Sequence, residues 1–242
     1  MTAIAAVVFD MYGTLTPNFP QSHWDEQKRA SAVPLGIADH EWVAALDGTW
    51  HERVSGVFGD LSATFRAVAA RVGRDDPTEA QLAAAVEARY ASYRESHRLR
   101  PDALETLRAL RADGLKIALV SDCTAELPAV WDSLELAASF DATVFSCEEA
   151  TRKPDPKLFH AAADRLGVSP PYCLYVGDGG GNELAGSAAV GMLPVLLAAD
   201  DWAASRAPGR PETSWTGLRA AALSEIPAVV ARLRAEAAEP AA

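Results

Sequence analysis

The sequence predicts an α/β fold: a doubly wound, Rossmann-like parallel sheet with an all-helical cap inserted after the first strand. Two patterns support this prediction. Short apolar runs alternate with helix-like segments along most of the chain, as in parallel sheets covered by helices on both faces. After the first apolar run, a long stretch shows helical periodicity without a strand pattern. We therefore expect a core domain, residues 1–16 and 99–242, and a helical cap domain, residues 17–98.

The core elements are predicted from apolar runs and from the amphipathic segments between them. The predicted strands are Ala3–Phe9, Lys116–Ser121, Thr143–Ser146, Tyr172–Val176 and Pro194–Leu197. The predicted core helices are Pro101–Asp113, Ala125–Ala137, Asp155–Leu166, Asn182–Val190 and about Glu225–Glu236. A polar, turn-rich stretch at Trp202–Pro211 and a tail at Glu239–Ala241 are expected to lack such elements. Because ligands bind beyond the carboxyl ends of parallel strands, the residues after each run are the candidates for a site.

The segment between Pro17 and Leu99 contains only helical patterns. The clearest are Glu41–Val54, Leu61–Val72 and an Ala-rich run from Pro77 to about His97. Breaks between helices are marked by Pro34, Gly36, Gly56 and Gly59. An insertion directly after the first strand favours a lid over the site, and a merely stabilising helical subdomain is the alternative.

Composition limits the classes of partner. The 242 residues carry 22 Lys plus Arg against 33 Asp plus Glu, a net charge of −11. This balance argues against binding to nucleic acid or to an anionic membrane surface, and any anionic small molecule would need a local source of positive charge. The three widely spaced cysteines are typical of reduced thiols in a cytoplasmic protein. We expect a monomer or homodimer that acts on a small molecule.

Acidic residues follow two of the predicted strands. Asp10 ends the first strand and precedes Met-Tyr-Gly-Thr-Leu, so its carboxylate could be a nucleophile or a cation ligand. Asp178 follows another strand in a Gly-rich turn, and Asn182 or Glu183 could add a second oxygen ligand suited to Mg²⁺. Taken alone, Asp10 could equally be a residue that caps the turn after its strand. The Gly-rich segment around Asp178 could be a loop that caps the next helix.

A hydroxyl and a lysine complete the set of candidates. Ser121 and Asp122 follow the second strand, where the hydroxyl could contact a phosphate oxygen or cap the next helix. Lys153 lies in a Pro-bounded loop just before a helix, where a solvated lysine is the ordinary alternative.

In this order, the motifs strand–Asp-x-x-Gly-Thr-Leu, strand–Ser, Lys-Pro and strand–Gly-Asp-x-x-x-Asn-Glu resemble those of the haloacid dehalogenase (HAD) superfamily. The resemblance covers the core from Val7 to Met192, and the helical insertion is similar to that superfamily's C1 cap. It implies a Mg²⁺-dependent hydrolase that forms an aspartyl ester. The implied catalytic residues are Asp10, Tyr12, Ser121 and Lys153, the phosphate-binding residues are Ser121, Asp122 and Lys153, and the metal ligands are Asp10, the Tyr12 backbone carbonyl, Asp178 and Glu183 or Asn182.

Position 12 departs from the pattern of HAD phosphatases. These enzymes usually carry a second Asp there as general acid and base, whereas this chain has Tyr12. A phenol with a pKa of about 10 is a poor base at neutral pH. Asp-x-Tyr-Gly-Thr-Leu is also the pattern of 2-haloacid dehalogenases, which use no metal and need no proton for a halide leaving group. The resemblance therefore admits a phosphatase and a dehalogenase.

The fourth motif favours the phosphatase, because Asp178 with Glu183 is its metal-binding version. Dehalogenases also place a cap arginine about thirty residues after the nucleophile, and here Arg29 and Arg53 are expected to be ill placed for that role. Most cap arginines are expected to be solvated: Arg53, Arg66, Arg71, Arg74, Arg89, Arg94 and Arg98. We predict a Mg²⁺-dependent phosphatase of a small phosphorylated metabolite that favours good leaving groups. The alternatives are a metal-free dehalogenase and a non-catalytic binding protein on the same fold.

Overall fold

A parallel sheet forms the centre of the computed structural model, which describes residues 4–202 and 215–238. Its strands are β1 (Ala6–Phe9), β2 (Lys116–Ser121), β3 (Ala142–Phe145), β4 (Cys173–Gly177), β5 (Leu193–Leu197) and β6 (Leu218–Ala220). They lie in the order β3-β2-β1-β4-β5-β6, and every pairing is parallel. The strand order reverses between β1 and β4, which is the point where ligands bind in such sheets. The predicted fold class is confirmed.

A helical insertion follows β1 and consists of helices α1 to α6. They are α1 (Gln21–Arg29), α2 (Ala32–Leu35), α3 (Asp39–Gly48), α4 (Trp50–Val54), α5 (Leu61–Arg71) and α6 (Glu79–Ser96). The insertion has a hydrophobic cluster of its own, in which Trp42 and Phe65 meet edge to face with ring centroids 5.4 Å apart. A separate cluster is what an independent layer needs for stability. The domain bounds given above, residues 17–98, stay a prediction.

Helices also cover both faces of the sheet. They are α7 (Ala103–Ala112), α8 (Glu126–Val130), α9 (Ser146–Glu149), α10 (Pro156–Leu166), α11 (Glu183–Ala189) and α12 (Ile226–Ala238). Along β1, Val7 and Phe9 pack into one hydrophobic cluster and Ala6 and Val8 into the other. This alternation follows from the two-residue period of a strand, and burial on both faces explains why the strands are continuous apolar runs.

The chain enters and leaves the insertion at neighbouring points. The backbone N–H of Arg100 donates to the carbonyl of Leu15 at 2.8 Å. Its guanidinium donates to the carbonyls of Gly13 and Thr14 at 2.8 and 2.9 Å, and pairs with Asp201 at 2.8 Å. The segment returning from the insertion is thus fixed to the turn that follows β1.

A second contact joins the far side of the insertion to the core. Ser146, the residue directly after β3, donates through its Oγ to the carbonyl of Val54 at 2.7 Å. Gly56 has a φ of +67°, and a Cβ there would lie 1.8 Å from the carbonyl oxygen of Cys147. Because only glycine fits this approach, the α4–α5 connection packs directly on the backbone after β3.

The predicted helix over Glu41–Val54 is wrong in one respect, because the structure has two helices there, α3 and α4. The break falls at Thr49, whose φ and ψ are −107° and 12°. Its hydroxyl donates to the carbonyls of Ala45 and Leu46 at 2.9 and 3.1 Å. Side-chain bonding to the preceding turn competes with the regular helical pattern and ends α3.

Other differences concern short or polar segments. Helices α1 and α2 and strand β6 have no counterpart among the predicted elements. The predicted helix Ala125–Ala137 is shorter, because α8 ends at Val130 and 3₁₀ turns follow. Ala3, residues 203–211 of the turn-rich stretch and the tail at Glu239–Ala241 lie outside the described residues. No helix within residues 4–202 and 215–238 is long and apolar enough to cross a membrane.

Candidate functional site

A cavity of about 920 Å³ lies at the carboxyl edge of the sheet, beneath the insertion. The core contributes Asp10, Tyr12, Asp122, Lys153 and Asp178 to its lining, all of them predicted site residues. The insertion contributes Phe19, Trp24, Trp50, Arg53, Arg89 and Tyr93. Residues from both layers therefore line one cavity.

Three buried carboxylates meet at the switch point of the sheet. Asp10 follows β1, Asp178 follows the neighbouring strand β4, and Glu183 begins α11. One oxygen atom of each lies within 4.8 Å of the others. The approach requires glycine in the turn after β1, since a Cβ on Gly13, at a φ of +83°, would lie 2.6 Å from Asp178 Oδ2. The two sequence-distant motifs are thereby brought into one cluster.

Lys153 is the cation inside this cluster. Its Nζ donates to Asp10 Oδ1 at 2.6 Å and to Glu183 Oε2 at 2.5 Å. Burial alone would lower the pKa of Lys153, but the carboxylates of Asp10 and Glu183 outweigh it and raise that pKa well above its ordinary value. Lys153 is therefore a permanent positive charge between two acidic side chains.

Glu183, and not Asn182, is the second acidic residue of the fourth motif at the site. Asn182 is exposed, whereas Glu183 is fully buried. The Glu183 carboxylate accepts hydrogen bonds from Tyr175 Oη and from the N–H of Gly179, both at 2.8 Å. Burial, together with the nearby charge of Asp10, raises the pKa of Glu183 to about 8, with Lys153 opposing the shift. Three acidic groups thus crowd a space that contains one lysine.

Ser121 ends β2 beside this cluster and is fully buried. Its Oγ has no hydrogen-bond partner among the residues that the structure describes. A buried hydroxyl without a partner loses the free energy of a hydrogen bond, but Ser121 is not among the described residues that line the cavity, whereas the next residue, Asp122, is.

Asp122 is engaged with the backbone of the lysine loop. Its Oδ1 accepts a hydrogen bond from the N–H of Lys153 at 2.9 Å, and burial raises its pKa. This contact orients the loop that delivers the Lys153 ammonium. The assignment of Asp122 to phosphate binding stays a prediction.

Tyr12 forms a phenol pair with the insertion. Its hydroxyl is hydrogen-bonded to that of Tyr93 on α6, and Trp24 packs edge to face on its ring with centroids 5.3 Å apart. Burial raises the pKa of both hydroxyls well above 10. At neutral pH both phenols are protonated, so the pair can donate a proton and cannot act as a base.

The main surprise is a pair of buried arginines in the insertion. Arg53 and Arg89 are 6% and 5% exposed and line the cavity, so the expectation that these two arginines are solvated is wrong. Arg89 Nε donates to Glu126 Oε1 at 2.9 Å, and Arg53 Nη2 donates to the carbonyl of Leu46 at 3.0 Å. Burial lowers the pKa of Arg53, and Glu126 opposes this shift.

The expected solvation holds for other arginines of the insertion. The side chains of Arg66, Arg71 and Arg94 are 46%, 46% and 44% exposed. The sequence did not indicate that Arg89 is buried, because α6 has no clear apolar face. The spacing of the arginines alone did not show which of them point inward. One signal was present: Arg89 precedes Tyr93 by four residues, so both lie on one face of α6.

Comparisons with known proteins agree on the family and divide on the reaction. A sequence profile of haloacid dehalogenase-like hydrolases matches residues 4–191. Glyceraldehyde 3-phosphate phosphatase of Methanopyrus kandleri is 30% identical over 201 residues, which cover 80% of this chain and 84% of that protein.

Solved structures with the same fold include both kinds of enzyme. A HAD phosphatase from Thermococcus onnurineus superposes with a TM-score of 0.67 and 23% identity, covering 94% of this chain and 98% of that one. L-2-haloacid dehalogenase from Xanthobacter autotrophicus, with chloropropionic acid covalently bound, gives a TM-score of 0.60 and 28% identity with the same coverage.

Proposed function

Because this chain belongs to the haloacid dehalogenase-like hydrolases, we propose that it is a Mg²⁺-dependent phosphatase of small phosphorylated metabolites. The observation that carries the proposal is the cluster of Asp10, Asp178 and Glu183. A phosphate dianion entering this cluster would meet the carboxylates of Asp10 and Asp178 and, when it ionises, that of Glu183, against the single positive charge of Lys153, so its entry calls for a further cation.

The donor set fits Mg²⁺. The three side chains offer carboxylate oxygens, which hard divalent cations prefer, and burial together with the charge of Asp10 raises the pKa of Glu183, a shift that a bound cation would oppose. Asp10, Asp178 and Glu183, with the backbone carbonyl of Tyr12, are the proposed ligands. When bound, the ion would supply positive charge to the phosphoryl oxygens.

In the proposed reaction, a carboxylate oxygen of Asp10 attacks phosphorus and the bond from phosphorus to the ester oxygen breaks. The Ser121 hydroxyl donates to a phosphoryl oxygen, and the Lys153 ammonium offsets the charge of nucleophile and phosphate. Water then hydrolyses the aspartyl phosphate, which releases inorganic phosphate and restores Asp10. The buried, partnerless state of Ser121 Oγ in the described residues supports this role.

Tyr12 sets the proposed preference for leaving groups. The phenol pair with Tyr93 can protonate a departing alkoxide, but its raised pKa prevents it from activating water. We therefore expect aryl and acyl phosphates to form the aspartyl phosphate fastest. A burst of the first product should precede a slower steady state, because dephosphorylation of Asp10 lacks a base.

The relatives support a small substrate. The name of the 30% identical relative from Methanopyrus kandleri refers to a three-carbon phosphate ester, and the chain covers most of that protein. A cavity of about 920 Å³ also suits a small molecule. All three cysteines are free thiols, which is typical of a reducing compartment, and we include a cytoplasmic location in this proposal.

A dehalogenase is the second candidate, because the cavity contains the buried guanidiniums of Arg53 and Arg89, which could receive a halide or a carboxylate. The likeness to the Xanthobacter autotrophicus enzyme at 28% identity also favours it. In that reaction Asp10 would displace halide from carbon, and no proton would be needed.

One experiment separates the candidates. Phosphate esters and 2-haloacids are assayed side by side, with Mg²⁺ or with chelator. We expect phosphate release that requires Mg²⁺ and is lost in Asp10→Asn, while Asp132→Asn, a change at an exposed aspartate, retains it. Halide release that persists in chelator would establish the dehalogenase instead. Inertness in both assays would favour a non-catalytic binding protein.

A further inference from the structure

We propose that Phe19 and Trp24 form a subsite for an aromatic ring, so that preferred substrates are phosphate monoesters whose alcohol carries such a ring. This inference rests on the proposed phosphatase function and specifies its substrate class. Both side chains line the cavity that also contains Asp10 and Lys153. Trp24 lies on α1 and Phe19 just before it, so both belong to the segment that enters the insertion.

The two rings are not part of a hydrophobic core. Within residues 4–202 and 215–238, neither ring belongs to any of the three clusters of apolar side chains. Both are only partly buried, whereas Trp42 and Phe65, the large rings of the insertion's own cluster, are fully buried. A large apolar side chain that stays partly exposed inside a cavity offers a surface that a ligand can cover.

The rings lie at right angles around Trp24. Its centroid is 5.3 Å from that of Tyr12 and 5.7 Å from that of Phe19, with interplanar angles of 82° and 86°. One face of Phe19 is covered by the ring of His23, which is nearly parallel and has its centroid 3.9 Å away. Perpendicular rings present both edges and faces, so a further ring could stack on one of them and meet another edge to face.

Trp50 also lines the cavity, but its ring is already engaged. The guanidinium of Arg152 lies over it, 5.6 Å from the centroid. This cation–π contact uses the face that a ligand ring would need. We therefore assign the subsite to the other side of the cavity, where Phe19 and Trp24 adjoin Tyr12.

The charges of the insertion favour an uncharged group at this subsite. Three basic side chains in and beside the cavity lining are balanced by three acidic ones. They are Lys28, which pairs with Asp25 and Asp47, and Arg53 and Arg89, which share Glu126. A balanced set attracts neither a second anion nor the quaternary ammonium that aromatic side chains can also hold. A neutral ring is thus the group that fits.

The subsite lies close enough to Asp10 for a short molecule. Trp24 contacts the ring of Tyr12, and Tyr12 is two residues after Asp10, so the Cα atoms of these two residues are at most about 7 Å apart. A ring joined to the ester oxygen by one or two carbon atoms could contact Trp24 while its phosphate meets Asp10.

The first test compares 2-phenylethyl, 2-cyclohexylethyl and ethyl phosphate in turnover. Each releases a simple alkoxide, so differences in kcat/KM report how the side group is bound. We expect the phenyl ester to exceed the ethyl ester by about 10- to 100-fold, the effect of burying one ring. It should exceed the cyclohexyl ester by about 2- to 10-fold, the contribution of ring pairing beyond buried area. A cyclohexyl ester that reacts as well as the phenyl ester would overturn the aromatic assignment.

Trp24→Leu removes the ring and keeps an apolar side chain. The preference for the phenyl ester over the ethyl ester should fall below about 3-fold, through a raised KM and not through kcat, because the ring is bound equally in ground state and transition state. Phe58→Leu, at a partly buried ring of the insertion outside the described cavity lining, should keep the preference. Equal losses for both esters in Trp24→Leu would mean that Trp24 only supports Tyr12, and would overturn the subsite.

Binding separates this inference from the phosphatase function. Dissociation constants of 2-phenylethylphosphonate and ethylphosphonate are measured by calorimetry in the presence of Mg²⁺, and neither ligand requires turnover. Tighter binding of the phenyl compound that is lost in Trp24→Leu and kept in Phe58→Leu supports the subsite even if no ester is hydrolysed. Hydrolysis of all three esters with equal kcat/KM, in an enzyme that binds both phosphonates equally, would overturn the subsite and leave the phosphatase function intact.

Discussion

At position 12, where HAD phosphatases usually carry a second Asp for proton transfer, this chain has the phenol of Tyr12, hydrogen-bonded to the phenol of Tyr93. Its hydrogen bond to Tyr93 occupies one phenol proton, and burial keeps the second proton on the pair at neutral pH. That second proton is available to an oxygen in the cavity. The pair is therefore suited to protonate a poor leaving group once, but not to shuttle protons in both directions.

Replacing Tyr12→Phe tests this donor. We expect kcat/KM for alkyl phosphates to fall by about 100-fold, because an alkoxide must be protonated as it leaves. The value for p-nitrophenyl phosphate should change by less than about 3-fold, since its leaving group needs no proton. The measurement is the dependence of kcat/KM on leaving-group pKa.

Tyr172→Phe serves as the control for this change, because Tyr172 is 42% exposed and precedes β4, at the opposite end of that strand from Asp178. Its leaving-group dependence should match that of the unaltered protein. Equal losses for alkyl and aryl phosphates in Tyr12→Phe would show that Tyr12 positions the site and does not donate a proton.

Residues at strand ends were predictable, and those from the insertion were not. Asp10 and Asp178 come together because parallel strands present their carboxyl ends at one edge of the sheet, and this follows from sequence order alone. The choice of Glu183 over Asn182 required the backbone of the turn. Arg53 and Arg89 were missed because their direction depends on how the insertion docks, and helical periodicity carries no information about docking.

At the scale of elements, the contact between the insertion and the core depends on Gly56. Gly56 and Gly59 both have positive φ, +67° and +79°, but a Cβ meets the Cys147 backbone only at Gly56. We expect Gly59→Ala to cost about 1 kcal/mol from backbone strain alone. Gly56→Ala should cost roughly 2 kcal/mol more, since the overpacked contact must open.

Chemical denaturation of both variants measures these costs, and substrate kinetics show whether the contact matters for the site. We expect a raised KM in Gly56→Ala and an unchanged KM in Gly59→Ala. Equal losses of stability in the two variants would mean that the insertion does not rest on the backbone of Cys147.

The end of α6 carries a histidine that resists protonation. Burial, aided by Arg98, lowers the pKa of His97 to about 4, and its ring stacks on Tyr93 with centroids 5.9 Å apart. The unfolded chain binds this proton near pH 6.5, and the folded protein only near pH 4. The stabilising contribution is therefore complete above pH 6.5 and is lost as the pH falls to about 4.

The free energy of unfolding of His97→Gln should consequently decline less between pH 7 and pH 4 than that of the unaltered protein. The expected difference is on the order of 2 kcal/mol. Denaturant titrations across this range provide the measurement. His160→Gln, at an exposed histidine, should follow the unaltered curve, and a parallel decline in His97→Gln would contradict the assignment.

Elements were predictable where they are long or buried on both faces. Strands β1, β2, β4 and β5 are apolar runs, so their sequence pattern and their burial coincide. Helix α1 is almost entirely polar, and strand β6 has only three residues. The hydrophobic pattern of neither segment can therefore be distinguished from that of a loop. Both are fixed by packing against the rest of the molecule.

For the whole molecule, the proposed metal site at Asp10, Asp178 and Glu183 would link metal binding to stability. A cation that binds only the folded state adds about 2.7 kcal/mol at one hundred times its dissociation constant. For a protein of this size, that corresponds to a rise of roughly 5–10 °C in the unfolding temperature. We expect this rise with MgCl₂ but not with NaCl of equal ionic strength.

Asp178→Asn should lose most of this rise, because the variant removes one proposed ligand while retaining the shape of the side chain. Thermal unfolding followed by circular dichroism, with and without chelator, supplies the data. The same Mg²⁺ effect in Asp178→Asn would place the stabilising ion elsewhere on the acidic surface.

The hydrogen bond between the Arg100 N–H and the Leu15 carbonyl, 2.8 Å long, has a consequence for how such a chain can change over time. Since the two ends of the insertion meet, a segment of any length can be exchanged between them while the sheet keeps its register. Loop-closure entropy grows only slowly with length, so the exchange is thermodynamically cheap. The carboxyl edge of the sheet and the helical insertion above it can thus evolve separately. The sheet edge can keep the catalytic residues while the insertion changes which substrates are bound.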